Sequence, residues 1–149
     1  MPNILHRVSI DAPPGSVHEL IATKDGIQRW WTAHPVRGDE AVGGQLRVYF
    51  NGGDKAAAVF EVVEQTPEKI VWRCVDGPAE WRDTRISFAF NLSPDGGTTL
   101  LFSHEGWKNE SELMHGCSTN WGAYLTSLKS GAEGRGFQPY PGGEVSRWG

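Results

Sequence analysis

The feature that most restricts how this chain folds is a change of apolar period near Gly106. After it, Met114, Cys117, Trp121, Leu125 and Leu128 recur at intervals of three and four, which predicts one helix over about 110–130 with a single apolar stripe. Before it, apolar residues recur at every second position. Leu46, Val48 and Phe50 form one such run, Ala58, Phe60 and Val62 a second, and Ile70, Trp72 and Cys74 a third. Thr84, Ile86, Phe88, Phe90 and Leu92 form a fourth, and Leu100, Phe102 and His104 a fifth. Turn residues separate them, most clearly Asn51-Gly52-Gly53-Asp54 and Ser93-Pro94-Asp95-Gly96-Gly97, so the stretch reads as an antiparallel meander. A meander alone would leave a wide apolar face in water. The final helix is the one element long enough to cover it, and the fold class is therefore α+β.

The remaining elements fit around that pair. Ile4, His6, Val8 and Ile10 alternate in a first strand, which Pro13 and Pro14 end. Ser16 with Glu19 has the spacing of a capping box, predicting a short helix to about Ala22. A break at residues 23–26 precedes a second short helix from Ile27 to Trp31. Asn109, with Glu112 three residues on, is the expected cap of the last helix. Gly116 and Gly122 weaken that helix by about 1 kcal/mol each relative to Ala, so packing must support it. Gly131 is expected to stop it. Residues 1–131 thus read as one domain and 132–149 as a Gly/Pro-rich tail. Phe137, Tyr140 and Trp148 give the tail too much aromatic surface for a solvated linker, so it should fold back on the domain or onto a second copy in a homodimer.

Composition excludes several function classes. The 149 residues carry a net charge of −4 with scattered Lys and Arg, which lacks the basic footprint of a nucleic-acid binder or of a protein drawn to anionic membranes. No apolar run reaches the ~20 residues needed to cross a bilayer. The N-terminus has no continuous signal-peptide core, and the expected location is cytoplasmic. Cys74 and Cys117 form no CxxC motif and are expected to be buried, reduced thiols. Seven Trp and six Phe supply enough bulk to fill a core or to line a cavity.

Four segments resemble a known family. They are Val8-Ser9-Ile10-Asp11-Ala12-Pro13-Pro14 with Val17 and Gly26-Ile27-Gln28-Arg29-Trp30-Trp31; Gly43-Gly44; Ser103-His104-Glu105-Gly106-Trp107; and the stretch from Trp121 through Lys129 with Glu133-Gly134-Arg135-Gly136. In order and spacing the chain resembles the helix-grip superfamily (SRPBCC, or START-like), which includes the polyketide cyclases and the major birch pollen allergen. Within it, the chain is similar to the group named after the activator of the Hsp90 ATPase. The resemblance implies a curved antiparallel sheet wrapped around a long C-terminal helix, with two short helices after the first strand. It also implies a small hydrophobic or aromatic ligand held between sheet and helix. The group's name implies a chaperone partner as the alternative. Eukaryotic activators of the group carry an additional N-terminal module, and its absence here weighs against that alternative.

The residues that would line such a cavity are Trp72, Phe88, Phe90 and Phe102 from the strands and Met114, Cys117, Trp121 and Leu125 from the helix. Trp30 and Trp31 are expected near its mouth, and Trp72 is expected to face Trp121. Each also has a plain reading as core. His104 is in line with Leu100 and Phe102, so it should be a polar group at the cavity end. There it would be a general base or, more simply, a side chain bonded to a backbone carbonyl. Glu80 and Asp83 would be the carboxylates of a cyclase- or hydrolase-type enzyme. The histidines form no HExxH motif, and the glycine pairs read as turns rather than phosphate cradles. No catalytic set, metal site or cofactor is assigned, and the expected function is that of a non-enzymatic carrier or sensor.

Overall fold

The computed structural model describes residues 1–147. Its sheet is seven-stranded and antiparallel, in the spatial order β1 (Ile4–Ile10), β7 (Thr98–Glu105), β6 (Arg85–Leu92), β5 (Lys69–Asp76), β4 (Ala58–Thr66), β3 (Gln45–Val48) and β2 (Val36–Gly38). Two short helices, α1 (Pro14–Ala22) and α2 (Lys24–Trp30), follow the first strand, and α3 (Glu112–Ala132) is the last regular element. The first and last strands pair, with Ile4 opposite His104 and Ile10 opposite Thr98. Register shifts in β4 beside Val59 and Val62 bend the sheet. Met114, Cys117, Trp121, Leu125 and Leu128 are all buried, and they share one hydrophobic cluster with Phe60, Trp72, Phe88 and Phe102 from the sheet. The expected α+β helix-grip arrangement is the one observed.

Several local expectations are corrected. Strand β2 was not anticipated; only three residues long, it is too short to show alternation and exists by pairing Val36 with Val48. Helix α1 begins at Pro14 with Pro13 as its cap residue, and no side chain caps it. Ser16 and Glu19 lie inside the helix, because proline's fixed φ and missing N–H suit a first turn. The break before α2 shrinks to Thr23, whose Oγ1 accepts from the Gly26 amide at 3.0 Å. Gly26 is required where it stands, since a Cβ there would meet the Leu20 carbonyl oxygen at 2.4 Å. The segment around Asn51 is not a tight turn but the loop 49–57, closed by Ala57 N–H donating to Val48 O. Leu92, expected on the inner face, is 72% exposed, at the end of β6 opposite Thr98.

The cap of α3 is Ser111 rather than Asn109. Its Oγ accepts from the Met114 amide at 3.2 Å and donates to Glu80 at 2.5 Å, a tertiary bond that Asn109 does not make. Nor does Gly131 stop the helix, which runs on to Ala132. The Phe137 ring fills the space above Gly131, where a Cβ would come within 1.9 Å of it. The tail therefore lies back on the domain. Tyr140 forms a parallel bridge with Thr32 and packs edge-on against Phe50 at 5.3 Å. Trp148 lies outside the described residues.

The aromatic interior as candidate functional site

Rings fill the space between sheet and α3. Trp31, at the end of α2, stacks on Trp72 with centroids 6.2 Å apart and tilts against Trp121 at 4.9 Å. Trp121 in turn meets Phe102 at 4.6 Å, and Phe102 meets Phe88 at 5.4 Å. Trp31 thus contacts both indoles that were expected to face each other across a cavity. Trp30 and Trp31 are not at an open mouth, being 0% and 1% exposed. Trp30 donates its indole N–H to the Leu20 carbonyl at 2.9 Å, which ties α2 to α1. Phe90, Met114 and Leu125 are buried in the same cluster without lining the void described below.

Within this interior lies His104, which is fully buried. Its Nδ1 accepts from Trp121 Nε1 at 3.2 Å, so the ring proton sits on Nε2. Nε2 then donates to Thr84 Oγ1 at 2.8 Å, and Thr84 donates to the Trp81 carbonyl at 2.5 Å. The chain of donors and acceptors is complete, and its partners are an indole and a hydroxyl, not the backbone carbonyl anticipated. Burial pushes the His104 pKa down to about 3, which keeps the imidazole neutral, and both ring nitrogens are already engaged in hydrogen bonds. Trp107, whose ring rests 4.8 Å from His104, is buried with its indole N–H unpartnered.

On the far side of Trp81, whose ring meets His104 edge-on at 5.1 Å, the packing is different. A void of about 10 Å³ is lined by Trp31, Trp81, Cys117, Asn120, Trp121 and Tyr124. That volume is about what a single water occupies. Tyr124 is 4% exposed, and its hydroxyl has no hydrogen-bond partner. Burial pushes its pKa up. Cys117 forms the wall between this void and an outer cleft of about 230 Å³, and Asn120 shares that position. Cys117 and Cys74 are free thiols. Burial pushes each up to about 11, far from the thiolate that nucleophilic chemistry needs.

Of the anticipated residues, Trp31, Cys117 and Trp121 meet at the void. Trp81, Asn120 and Tyr124 were missed. Asn120 and Tyr124 sit one position before Trp121 and Leu125, so a wider buried arc on α3 would have included them. Trp81 comes from the short 3₁₀ turn Ala79–Trp81, which has no periodicity to read. Glu80 is taken up by Ser111 and Asp83 by Arg73 at 3.0 Å, so neither carboxylate stands free over the interior. No cluster of three or more His, Cys, Asp or Glu suited to a metal occurs among the described residues. Nor, among these, is any helix long and apolar enough to cross a membrane.

Comparison with known proteins bears on the whole domain. Residues 11–133 match the family model described as activator of Hsp90 ATPase homolog 1-like protein. The solution structure of the Aha1 dimer from Colwellia psychrerythraea superposes with a TM-score of 0.79 at 31% identity, covering 91% of this chain and 98% of that one. CalU16 from Micromonospora echinospora superposes with a TM-score of 0.71 at 22% identity, covering 94% of this chain and 78% of the other. An HSP90 activator from Plasmodium falciparum gives 0.68 at 20% identity, covering 85% and 92%. No curated protein sequence matches.

Proposed function

The chain belongs to the activator of Hsp90 ATPase homolog 1-like family, and from that premise we propose that it binds a small, flat aromatic molecule between the sheet and α3. The observation that carries this reading is the Tyr124 hydroxyl, buried beside an aromatic void without a partner. Leaving such a group unpaired costs about 1–3 kcal/mol, and a ligand acceptor would recover it. The rings around it give an aromatic guest edge and face contacts. At about 10 Å³ the void admits no such guest as it stands, so binding requires the Tyr124 end to open. His104 holds Trp121 in place, and the role is that of carrier or sensor.

Two measurements test the proposal. Native mass spectrometry of freshly purified protein should find a small molecule carried over. Titration with anilinonaphthalene sulfonate should be saturable at one per chain and should change tryptophan emission. An absence of both would end the ligand reading.

A second reading rests on the two relatives named as Aha1 and as an HSP90 activator. In it the domain docks on an Hsp90-type chaperone, or pairs with a second copy as the Colwellia protein does. Exposed Leu5 and Leu101 on adjacent strands β1 and β7 offer an apolar surface for it. Co-purification with the chaperone, or a dimer in sedimentation, would favour this reading.

A further inference from the structure

The chain itself covers the Tyr124 end. Tyr140 donates its amide to the Trp31 carbonyl and accepts from the Ala33 amide, both at 2.8 Å. Farther along, Asn120 on α3 grips the tail with its whole amide group. Its Oδ1 accepts from the Val145 and Ser146 amides at 2.8 Å each, and its Nδ2 donates to the Ser146 carbonyl at 2.7 Å. The helix is shaped for this. At Gly116 a Cβ would lie 2.8 Å from Ser146 Oγ, and at Gly131 it would overlap the Phe137 ring. Two residues that weaken a helix thus stand where the tail lies closest.

Two features make this cover removable. It is held by two backbone hydrogen bonds at Tyr140, three bonds to the Asn120 side chain and a few rings, while Val145 is 71% exposed. Segments with little buried apolar contact occupy the low end of local stability. Ser146 also lines the outer cleft, which reaches the same Cys117 and Asn120 that line the inner void. Lifting residues 140–147 would leave only the Cys117 and Asn120 side chains between the two spaces.

We propose that residues 140–147 form a strap that a ligand displaces, and that the ligand is an aromatic molecule bearing a carbonyl or carboxamide. The strap presents two N–H groups and one C=O to Asn120, and a carboxamide offers the same chemistry. Its carbonyl also supplies the acceptor that the Tyr124 hydroxyl lacks. The proposal rests on the ligand-binding reading above, but the strap itself is tested without a ligand.

The test is the double variant Tyr140→Ala/Val145→Pro, which removes one ring and one amide donor and alters no residue lining the void. Cys117 is the reporter and Cys74 the internal reference, each followed by its rate of reaction with a thiol reagent. At least a tenfold faster reaction at Cys117, with Cys74 unchanged, is expected. An unchanged Cys117 rate overturns the strap. So does a parallel rise at both thiols in this variant and in Gly131→Ala, because the tail would then be part of the core. Naphthalene carboxamide and naphthalene are then titrated into parent and variant. The carboxamide should bind more tightly than naphthalene, more tightly still to the variant, and should lose its advantage in Tyr124→Phe. Equal binding of the two probes overturns the ligand chemistry. A faster Cys117 with no binding of either leaves the strap standing and overturns the ligand-binding reading beneath it.

Discussion

His104 and Tyr124 are both buried against α3 close to Trp121, yet the fold treats them in opposite ways. His104 has a partner on each ring nitrogen, and the bonds continue through Thr84 to the backbone of Trp81. Tyr124 has no partner, a void at its side and a segment of tail over it. In a low-dielectric interior a completed polar network rigidifies its surroundings, while an unpaired group is costly. The same aromatic core is therefore locked at His104 and only covered at Tyr124.

The largest expected effect concerns the residue shared by both ends. Trp121→Ala should cost about 3–5 kcal/mol in denaturant unfolding, as for a fully packed indole. A much smaller loss would mean that the space beside the ring is larger than the water-sized void it borders. Acid should expose the locked end next. Unfolding frees His104 to take a proton at its ordinary value of 6.5, whereas burial holds it to about 3 in the fold. The unfolded chain binds more protons in that window, so stability should be full above pH 6.5 and fall by several kcal/mol as pH drops to about 3. Urea midpoints across that range test it. A flat profile would mean that His104 is charged or exposed in the native state.

At the covered end the sign reverses. Tyr124→Phe removes a hydroxyl that bonds to nothing and should raise stability, by up to the cost of the unpaired group, about 1–3 kcal/mol. A clear loss would reveal a partner for that hydroxyl. The smallest effect is expected at the far end of α3. Glu133 accepts from the Asp11 amide and from Lys129, both at 2.7 Å, and from Arg135. Lys129, chief among these, holds the carboxyl down to about 2 from its ordinary value of 4.5. Its contribution is present above pH 4.5 and disappears toward pH 2. Glu133→Gln should therefore flatten the acid profile only below pH 4.5, where it overlaps the lower part of the His104 window, and leave the profile above pH 4.5 unchanged.

The locked end was more legible in sequence than the covered one, for physical reasons. Period-two alternation in Ile86, Phe88 and Phe90, and the three-to-four spacing of Cys117, Trp121, Leu125 and Leu128, follow from strand and helix geometry. They placed the sheet against the helix. The inward position of His104 followed from the same parity. The covered end depends on contacts between segments far apart in the chain, which leave no period. Asn120 reads as a polar helix residue until Val145 and Ser146 are beside it. Gly116 and Gly131 read as a weak point and a stop until Ser146 and Phe137 fill the space above them. Trp81 belongs to a single turn. The aromatic surplus of the tail did signal that it would dock, but not where.

The difference between the two ends can be tested directly by NMR of the indole N–H groups during titration with naphthalene carboxamide. Trp31, Trp81 and Trp121, which line the void, are expected to shift first and furthest. Trp30, bonded to Leu20, and Trp107, beside His104, should scarcely move, and the proton on His104 Nε2 should stay in place. Shifts spread evenly over all the indoles, or largest at Trp30 and Trp107, would contradict a core locked at His104 and open to a ligand at Tyr124.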